Sequence, residues 1–394
     1  MNTESSMPKK PGDLDTGFGT NGIIFGPTNA VTYCVVDQLD GNLVYAVHTQ
    51  NSYHIHRIFP DGQPDTSFGN EGMVIGQFKE NQNSEPVRLV ARDKKITIFG
   101  DALTGAEGTP AAKRLNENGS PDLVFQPVLV PRPAISSNGD PSDGGVLEDG
   151  RILILSQRTK DNLMHDKGQL TCFHADGSLD TSFGDQGHIN INWGNDINRM
   201  VSIAIQPDDK IVVGANYVKL PAGSRIVLTR YLSNGKLDKT FGDDGLVSLG
   251  PEGGSYDLQK LIALPDGKLL CAGRIGNYQA LIMRFETDGR PDPTFNGGKE
   301  VLIEVASYNG TLSAVAVQPE DGKIIAAGWD VSSPLQMFWG RLNEDGSFDT
   351  RFGNNGWSRG LTGIPYDIVM QPERFIIAGK SSTPSNSVLY GIQR

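Results

Sequence analysis

Asp180, Thr181 and Ser182 stand side by side in LDTSFGDQG (residues 179–187), a carboxylate and two hydroxyls followed by an aromatic and two glycines. Oxygen ligands this closely spaced, on a glycine-containing loop, are the chemistry of a hard-cation or sugar site. Other candidate groups are scattered. His48, His54 and His56 group together, and period-two alternation brings all three to one face only if a strand runs through the intervening loop. His165 falls in a long variable segment, and His174 and His188 flank the fourth copy of the motif described below. No HExxH, GxSxG, GxGxxG or Walker loop occurs. A loop histidine without a geometric partner reads as a polar surface residue. Carboxylates are plentiful, so a glycosidase-type pair stays open as an alternative, because sequence does not set their separation.

The oxygen-rich stretch is not unique. LDTGFG begins at Leu14, PDTSFG at Pro64, PDLVFQ at Pro121, LDTSFG at Leu179, LDKTFG at Leu237, PDPTFN at Pro291 and FDTRFG at Phe348, seven copies in all. A fixed period of this length signals a repeat architecture. Between copies run short β-rich segments such as GLVSLG (245–250), LQKLIAL (258–264), LLCAG (269–273) and ALIMRF (280–285), divided by PDGK-like and DG or NG turns. Such dipeptides between apolar runs are hairpin signals, because Gly, Asn and Asp accept positive φ. No segment has the spacing of a long amphipathic helix. Four strands per repeat and seven repeats predict an all-β, seven-bladed β-propeller with four antiparallel strands per blade. The chain starts with a motif plus one strand near Gly22–Phe25 and ends after VLYGIQR, one strand short. Donating the N-terminal strand to the last blade closes the ring and removes a bare edge. A linear solenoid does not explain that phase.

The linked pair [QL]PDGK-I-apolar-AG and R-[LF]-x-x-DG-x-[LP]DTSFG-x-x-G resembles the bacterial delta-sixty repeat, from about Gly12 to the end of the chain. The resemblance implies a propeller-like repeat domain, often part of large bacterial surface or secreted proteins, and implies no particular activity. The third copy, PDLVFQ, loses the hydroxyl and the glycine. The second repeat turns through RDKK, and the last has QPERF in place of PDGK.

Arg57, Arg114, Arg230, Arg284 and Arg341 lie eight residues before Asp65, Asp122, Asp238, Asp292 and Asp349. An arginine on one strand and an aspartate just past its hairpin meet across the turn, so one structural ion pair per blade is expected. The fourth copy has Cys172 before Asp180, and Asp15 has no upstream strand. One carboxylate accompanied by an arginine is a poor calcium site, which wants six or more oxygens, so no metal is assigned.

Bulk properties narrow the function. The formal charge of the 394 residues is -11, which disfavours a sequence-independent nucleic-acid binder. No apolar run approaches a membrane span, so no membrane insertion is expected. MNTESSMPKKPGDLD has no apolar core behind its lysines and is not a secretory signal. Residues 1–11 read as a disordered tail and 12–394 as one propeller domain, cytoplasmic or exported without a cleavable N-terminal signal. Cys34, Cys172 and Cys271 each sit in an apolar run and read as buried free thiols.

Both hairpin types and the motif share one face of the predicted ring, and the variable loops share the other. Aromatics recur in those loops beside polar residues: Tyr53 and His54, Trp193 and Asp196, Tyr217, Tyr256 and Asp257, Tyr278, Tyr308, Trp329 and Asp330, Tyr366 and Asp367. With His165 they form the candidate binding set, since amphipathic rings supply contact area at interfaces. The expected function is a non-enzymatic, monomeric binding or scaffold protein without cofactor, engaging a protein or glycan through the variable-loop face. The alternatives are a carbohydrate-active hydrolase or lyase with carboxylates at the channel mouth, and an exported effector or toxin.

Overall fold

The computed structural model describes residues 10–38, 40–105, 107–130, 142–159, 166–193, 196–219, 223–251, 253–276, 279–303, 310–330 and 334–394. The first strand, β1 (Ile23–Thr28), leaves its neighbours in sequence and joins the far end of the chain. Antiparallel four-stranded sheets then follow one another. They are β2 (Val31–Asp37), β3 (Leu43–His48), β4 (Tyr53–Ile58) and β5 (Met73–Gly76); β6 (Asn83–Arg92), β7 (Lys95–Thr104), β8 (Glu107–Asn116) and β9 (Val128–Leu129); and β10 (Asp143–Val146), β11 (Ile152–Thr159), β12 (Asp166–Phe173) and β13 (His188–Ile191). Two more comprise β14 (Ile197–Ile205), β15 (Ile211–Lys219), β16 (Gly223–Tyr231) and β17 (Leu246–Leu249), then β18 (Tyr256–Ala263), β19 (Leu269–Ile275), β20 (Gln279–Phe285) and β21 (Val301–Ile303).

The last sheet has seven strands: β22 (Gly310–Val317), β23 (Ile324–Asp330), β24 (Gln336–Leu342), β25 (Trp357–Met370), β26 (Arg374–Ser381), β27 (Asn386–Gln393) and β1. It arises because β25 serves two neighbours. Its residues 357–362 pair with β24 and its residues 363–370 with β26. The changeover falls at Gly363, whose φ of 135° and whose approach to the Lys380 carbonyl leave no room for a Cβ. Six sheets therefore account for the strands of the described residues.

The sheets stand around an axis. The first strands touch in sequence, β2 to β6, β10, β14, β18, β22 and the second half of β25, which returns to β2. The middle strands of the sheets, such as β3, β7, β15, β20 and β23, are buried on both faces, so apolar clusters form between neighbouring sheets. The cluster of Phe18, Val35, Leu43, Val369, Ile376 and Leu389 joins the last strands to the first sheet. Each motif phenylalanine, from Phe18 to Phe352, is buried in one of these seams.

The motif builds the seams. Arg57, Arg114, Arg230, Arg284 and Arg341 place Nε 2.7, 2.7, 2.9, 2.6 and 3.0 Å from Asp65, Asp122, Asp238, Asp292 and Asp349. Each guanidinium lies 4.6–5.0 Å from the centre of its own motif phenylalanine. The same side chains reach the next repeat: Arg57 Nη1 donates to the Glu117 carbonyl at 2.7 Å and Arg284 Nη1 to that of Glu344 at 2.8 Å. The other carboxylate oxygen is used locally, as when Asp65 Oδ1 accepts the Ser67 amide and hydroxyl at 3.0 and 2.6 Å. In LDTSFGDQG, Asp180 Oδ1 takes the Ser182 amide and hydroxyl at 3.0 and 2.5 Å, so the oxygens that suggested a site satisfy one another.

At the ring's seam, β1 pairs with β27 from Ile23↔Tyr390 to Thr28↔Asn386. Arg374 lies 2.8 Å from Asp15, and its Nη1 donates to the Pro60 carbonyl at 2.9 Å. Cys34, Cys172 and Cys271 are buried free thiols. Among the described residues, no helix is long and apolar enough to cross a membrane.

Candidate functional site

Six of the strands facing the axis are interrupted at one residue. Pairing skips Tyr33 in β2, Val87 in β6, Val201 in β14, Gln259 in β18, Ser313 in β22 and Tyr366 in β25. A β-bulge adds one residue to a strand and re-aims its side chain. All six side chains line one axial cavity of about 520 Å³, inside the span of roughly 300–1,000 Å³ usual for small-molecule sites.

A glycine on the neighbouring strand accompanies four of the six bulges; Val47 and Ala215 stand opposite the other two. Gly100, Gly273, Gly328 and Gly379 pair with Pro86, Leu258, Leu312 and Pro365, the residues just before four of the bulges. A Cβ on these glycines would lie 2.1, 2.1, 2.1 and 2.4 Å from the carbonyl oxygens of Glu85, Asp257, Thr311 and Ile364. The glycine is the space into which the bulged backbone moves.

The axis-facing strands run from the mouth of the cavity toward the PDGK hairpins, so the residue after each bulge lies one step deeper. There Arg88 Nη1 bonds both oxygens of Asp143 at 3.0 and 2.9 Å and reaches past β10 to the Ile203 carbonyl at 3.0 Å. Asp143 Oδ2 also accepts the Ser202 hydroxyl at 3.1 Å and the Ile203 amide at 2.9 Å. Lys260 Nζ crosses in front of β22 to Asp367 Oδ1 at 3.2 Å, and Asp367 Oδ2 accepts the Val35 amide at 3.2 Å. Near the mouth, Arg274 holds Asp257 Oδ2 at 2.6 Å while Asn216 Nδ2 donates to Oδ1 at 2.6 Å. Tyr33 meets Tyr366 edge-on, with centroids 4.9 Å apart. Burial, and then the Glu85 carboxylate bonded to it, raise the Tyr33 phenol, so it stays protonated.

Of the candidate residues, the fold brings Asp257, Trp329 and Tyr366 to the cavity wall, with Asp367 just below. Tyr53 shares the inward face of β4 with Ile55 and is buried against Phe78. Tyr256 is buried, with its hydroxyl on Glu300 at 3.2 Å. Asp330 is fully buried and paired with Arg359. Trp193 packs on the apolar cluster beneath it, and the Tyr217 hydroxyl donates to Asp196. His165, Tyr278 and Tyr308 lie outside the described residues. The three clustered histidines separate. β3 ends at His48, whose ring lies 6.1 Å from Tyr33, while His54 and His56 share the opposite face of β4, 6.2 Å apart.

Sequence reasoning passed over Tyr33, Val87, Val201, Gln259, Ser313, Arg88, Asp143 and Lys260. The six bulge residues are of four types, so no common side chain marks the position. For Val87, Gln259 and Ser313 the available signal was the glycine on the neighbouring strand, Gly100, Gly273 and Gly328.

The sequence is similar over residues 206–241, 264–295 and 320–352 to the family described as "Domain of unknown function (DUF5122) beta-propeller". No curated protein matches it. Among solved structures, the virginiamycin B lyase of Staphylococcus aureus superposes with a TM-score of 0.55 at 12% identity, covering 94% of this chain and 98% of the lyase. A protein of unknown function from Dyadobacter fermentans gives 0.51 at 13% identity, over 94% and 99% of the two chains. Identities this low establish the β-propeller fold and carry no activity across.

Proposed function

We propose that this chain is a single seven-bladed propeller over residues 12–394, closed by β1, and a non-enzymatic binding protein that engages a glycan at the axial cavity. On this reading β25 supplies the outer strand of one blade and the inner strand of the next. The observation that carries the binding reading is the division of labour at the cavity. Asp143, Asp257 and Asp367 are each tied to a cation, Arg88, Arg274 and Lys260, whereas the rings of Tyr33, Tyr366 and Trp329 and the amide of Gln259 line the void. A hydrolase acting on glycosides needs one carboxyl that holds a proton near neutral pH. Each of these three carboxylates is instead engaged by a basic side chain. Aromatic rings with a few oriented polar groups suit recognition of a ligand that is bound and released unchanged.

A glycan array run beside a chromogenic glycoside panel tests this. Array binding that is lost in Tyr366→Ala, with no turnover on the panel, is expected. Hydrolysis of any glycoside, abolished in Asp143→Asn or Asp257→Asn, would establish the enzyme reading instead.

A further inference from the structure

The cavity has a floor. Its wall includes Asp143, Ser202 and Lys260 but none of the residues one step further along those strands. Two side chains bridge sheets two apart in the ring at that depth: Arg88 runs from β6 to the backbone of β14, and Lys260 runs from β18 to Asp367 on β25. Both pass over an intervening sheet. Arg88, Asp143, Lys260 and Asp367 are 24, 14, 21 and 19% exposed, so the straps are largely withdrawn from solvent. A chain threading the propeller from face to face would have to break them.

The cavity also has little net charge. Each strap joins one cation to one anion, and Asp257 is matched by Arg274. The remaining charged groups near the mouth are the exposed Arg199, which lines it, Glu85, which bonds the Tyr33 hydroxyl, and Asp101, which accepts from Ser142 in the wall. The two carboxylates outnumber the one guanidinium. An acidic ligand therefore meets the exposed Arg199 but sets its own charge beside five carboxylates.

We infer, building on the glycan-binding reading, that the cavity is a blind cup that receives the uncharged end of a glycan, a terminal mono- or disaccharide, and excludes internal segments and acid-capped ends. Tyr33, Tyr366 and Trp329 offer apolar surfaces to the C–H faces of a sugar ring, and Gln259, the exposed bulge residue, offers a donor and an acceptor to its hydroxyls.

The test is an array presenting neutral oligosaccharides, the same oligosaccharides capped with uronic or sialic acid, and cyclic glucans, which have no ends. Wild type, Gln259→Ala and Tyr366→Ala are compared, with circular dichroism melts confirming that the variants fold. Gln259 is exposed, so its variant keeps the test valid should Tyr366→Ala unfold. The expected result is binding to neutral ends, at least tenfold weaker after acidic capping, undetected on cyclic glucans, and at least tenfold weaker in both variants. Cavity-dependent binding of acid-capped or cyclic glycans, as strong as that of neutral ends, overturns the blind-cup inference and leaves the binding reading standing. Binding unaffected by either variant, or no binding to any glycan, overturns both.

Discussion

Arg151 fills the place that Cys172 leaves vacant beside Asp180. Its Nη1 lies 3.3 Å from Asp180 Oδ2 and donates to the Ser233 carbonyl at 2.9 Å, the cross-repeat bond that Arg57 and Arg284 make from a different strand. In most repeats the hairpin position held by Arg151 carries a lysine, and Lys95, Lys210, Lys268 and Lys323 lie 3.2, 3.8, 2.8 and 3.4 Å from their motif aspartates. Where the strand arginine is missing, that lysine has become an arginine. Asp180 is 3% exposed, and apart from Arg151 the nearest basic side chain is a half-exposed His174 at 3.8 Å. Removing one member of a buried pair costs about 3–5 kcal/mol. Arg151→Ala should therefore cost about 3 kcal/mol, read from urea unfolding midpoints, and Cys172→Arg in that background should restore most of the loss. A double variant no more stable than Arg151→Ala would show that the two positions are not interchangeable.

The motif aspartates predict where acid unfolds the ring. Burial opposes ionisation of Asp65, Asp180, Asp238 and Asp292. Hydrogen bonds from the neighbouring hydroxyl and amide and from basic side chains outweigh it, so their carboxyls titrate below the usual range. A folded pKa below the unfolded value of about 3.9 contributes stability that is complete above that pH and is lost as pH falls through the folded value. These groups should leave stability flat between about pH 5 and 8 and make it fall steeply below about pH 4. Asp292→Asn should lower stability at neutral pH and remove about one proton from the acid transition. An unchanged proton uptake would contradict this.

His56 acts in a separate window. Its ring stacks on Tyr45, with centroids 4.9 Å apart, and its Nε2 is buried without a hydrogen-bond partner. Burial, and then the neighbouring His54, hold it down to about 4. Below about 6.5 the unfolded chain takes up a proton that the folded ring refuses, so stability declines from there until pH passes the folded value. His56→Phe keeps the stack and should flatten the stability profile between pH 6.5 and 4. A slope equal to wild type would assign that pH dependence elsewhere.

The repeat was legible because its motif encodes needs that every copy shares. The aspartate must be neutralised, the phenylalanine must fill a seam, and the glycines must occupy conformations or spaces closed to other residues. Arg284 and Asp292 could be paired from spacing alone. Tyr53 and Tyr256 show the limit, because strand alternation turned both rings into the core although their loop-end positions suggested exposure. The cavity was hidden for a different reason. Six of its wall residues are each displaced by a bulge, and nothing local to Gln259 or Ser313 announces the displacement. Only Gly273 and Gly328, on the neighbouring strands, record it.

The ring closes where β27, β1 and the first sheet meet. β1 covers the edge of β27, and Arg374 ties Asp15 of the N-terminal motif to Pro60 of the first sheet. A bare strand edge is a template for intermolecular pairing. Removing residues 1–28 should lower the unfolding temperature and produce concentration-dependent association in sedimentation velocity. Asp15→Ala, which leaves β1 in place, should destabilise without association. A truncated chain that stays monomeric with wild-type stability would mean that β1 does not seal the ring.

The glycine opposite a bulge links sequence to site most directly. Gly379 pairs with Pro365, and an added Cβ would stand 2.4 Å from the Ile364 carbonyl, so one of the two strands must shift. Overpacking of this kind costs typically about 1–3 kcal/mol. The shift falls on the bulge that presents Tyr366, 4.9 Å from Tyr33, while Asp367 anchors the strand to Lys260 and Val35 one residue deeper. Gly379→Ala should therefore keep the fold, lose stability in that range and weaken glycan binding as much as Tyr366→Ala does. Gly105→Ala, where a Cβ meets nothing within 4 Å, controls for the general effect of replacing a strand-end glycine, although its φ of 61° adds local strain. Calorimetric titration of the two variants separates the outcomes: if Gly379→Ala binds like wild type, the bulge does not position Tyr366.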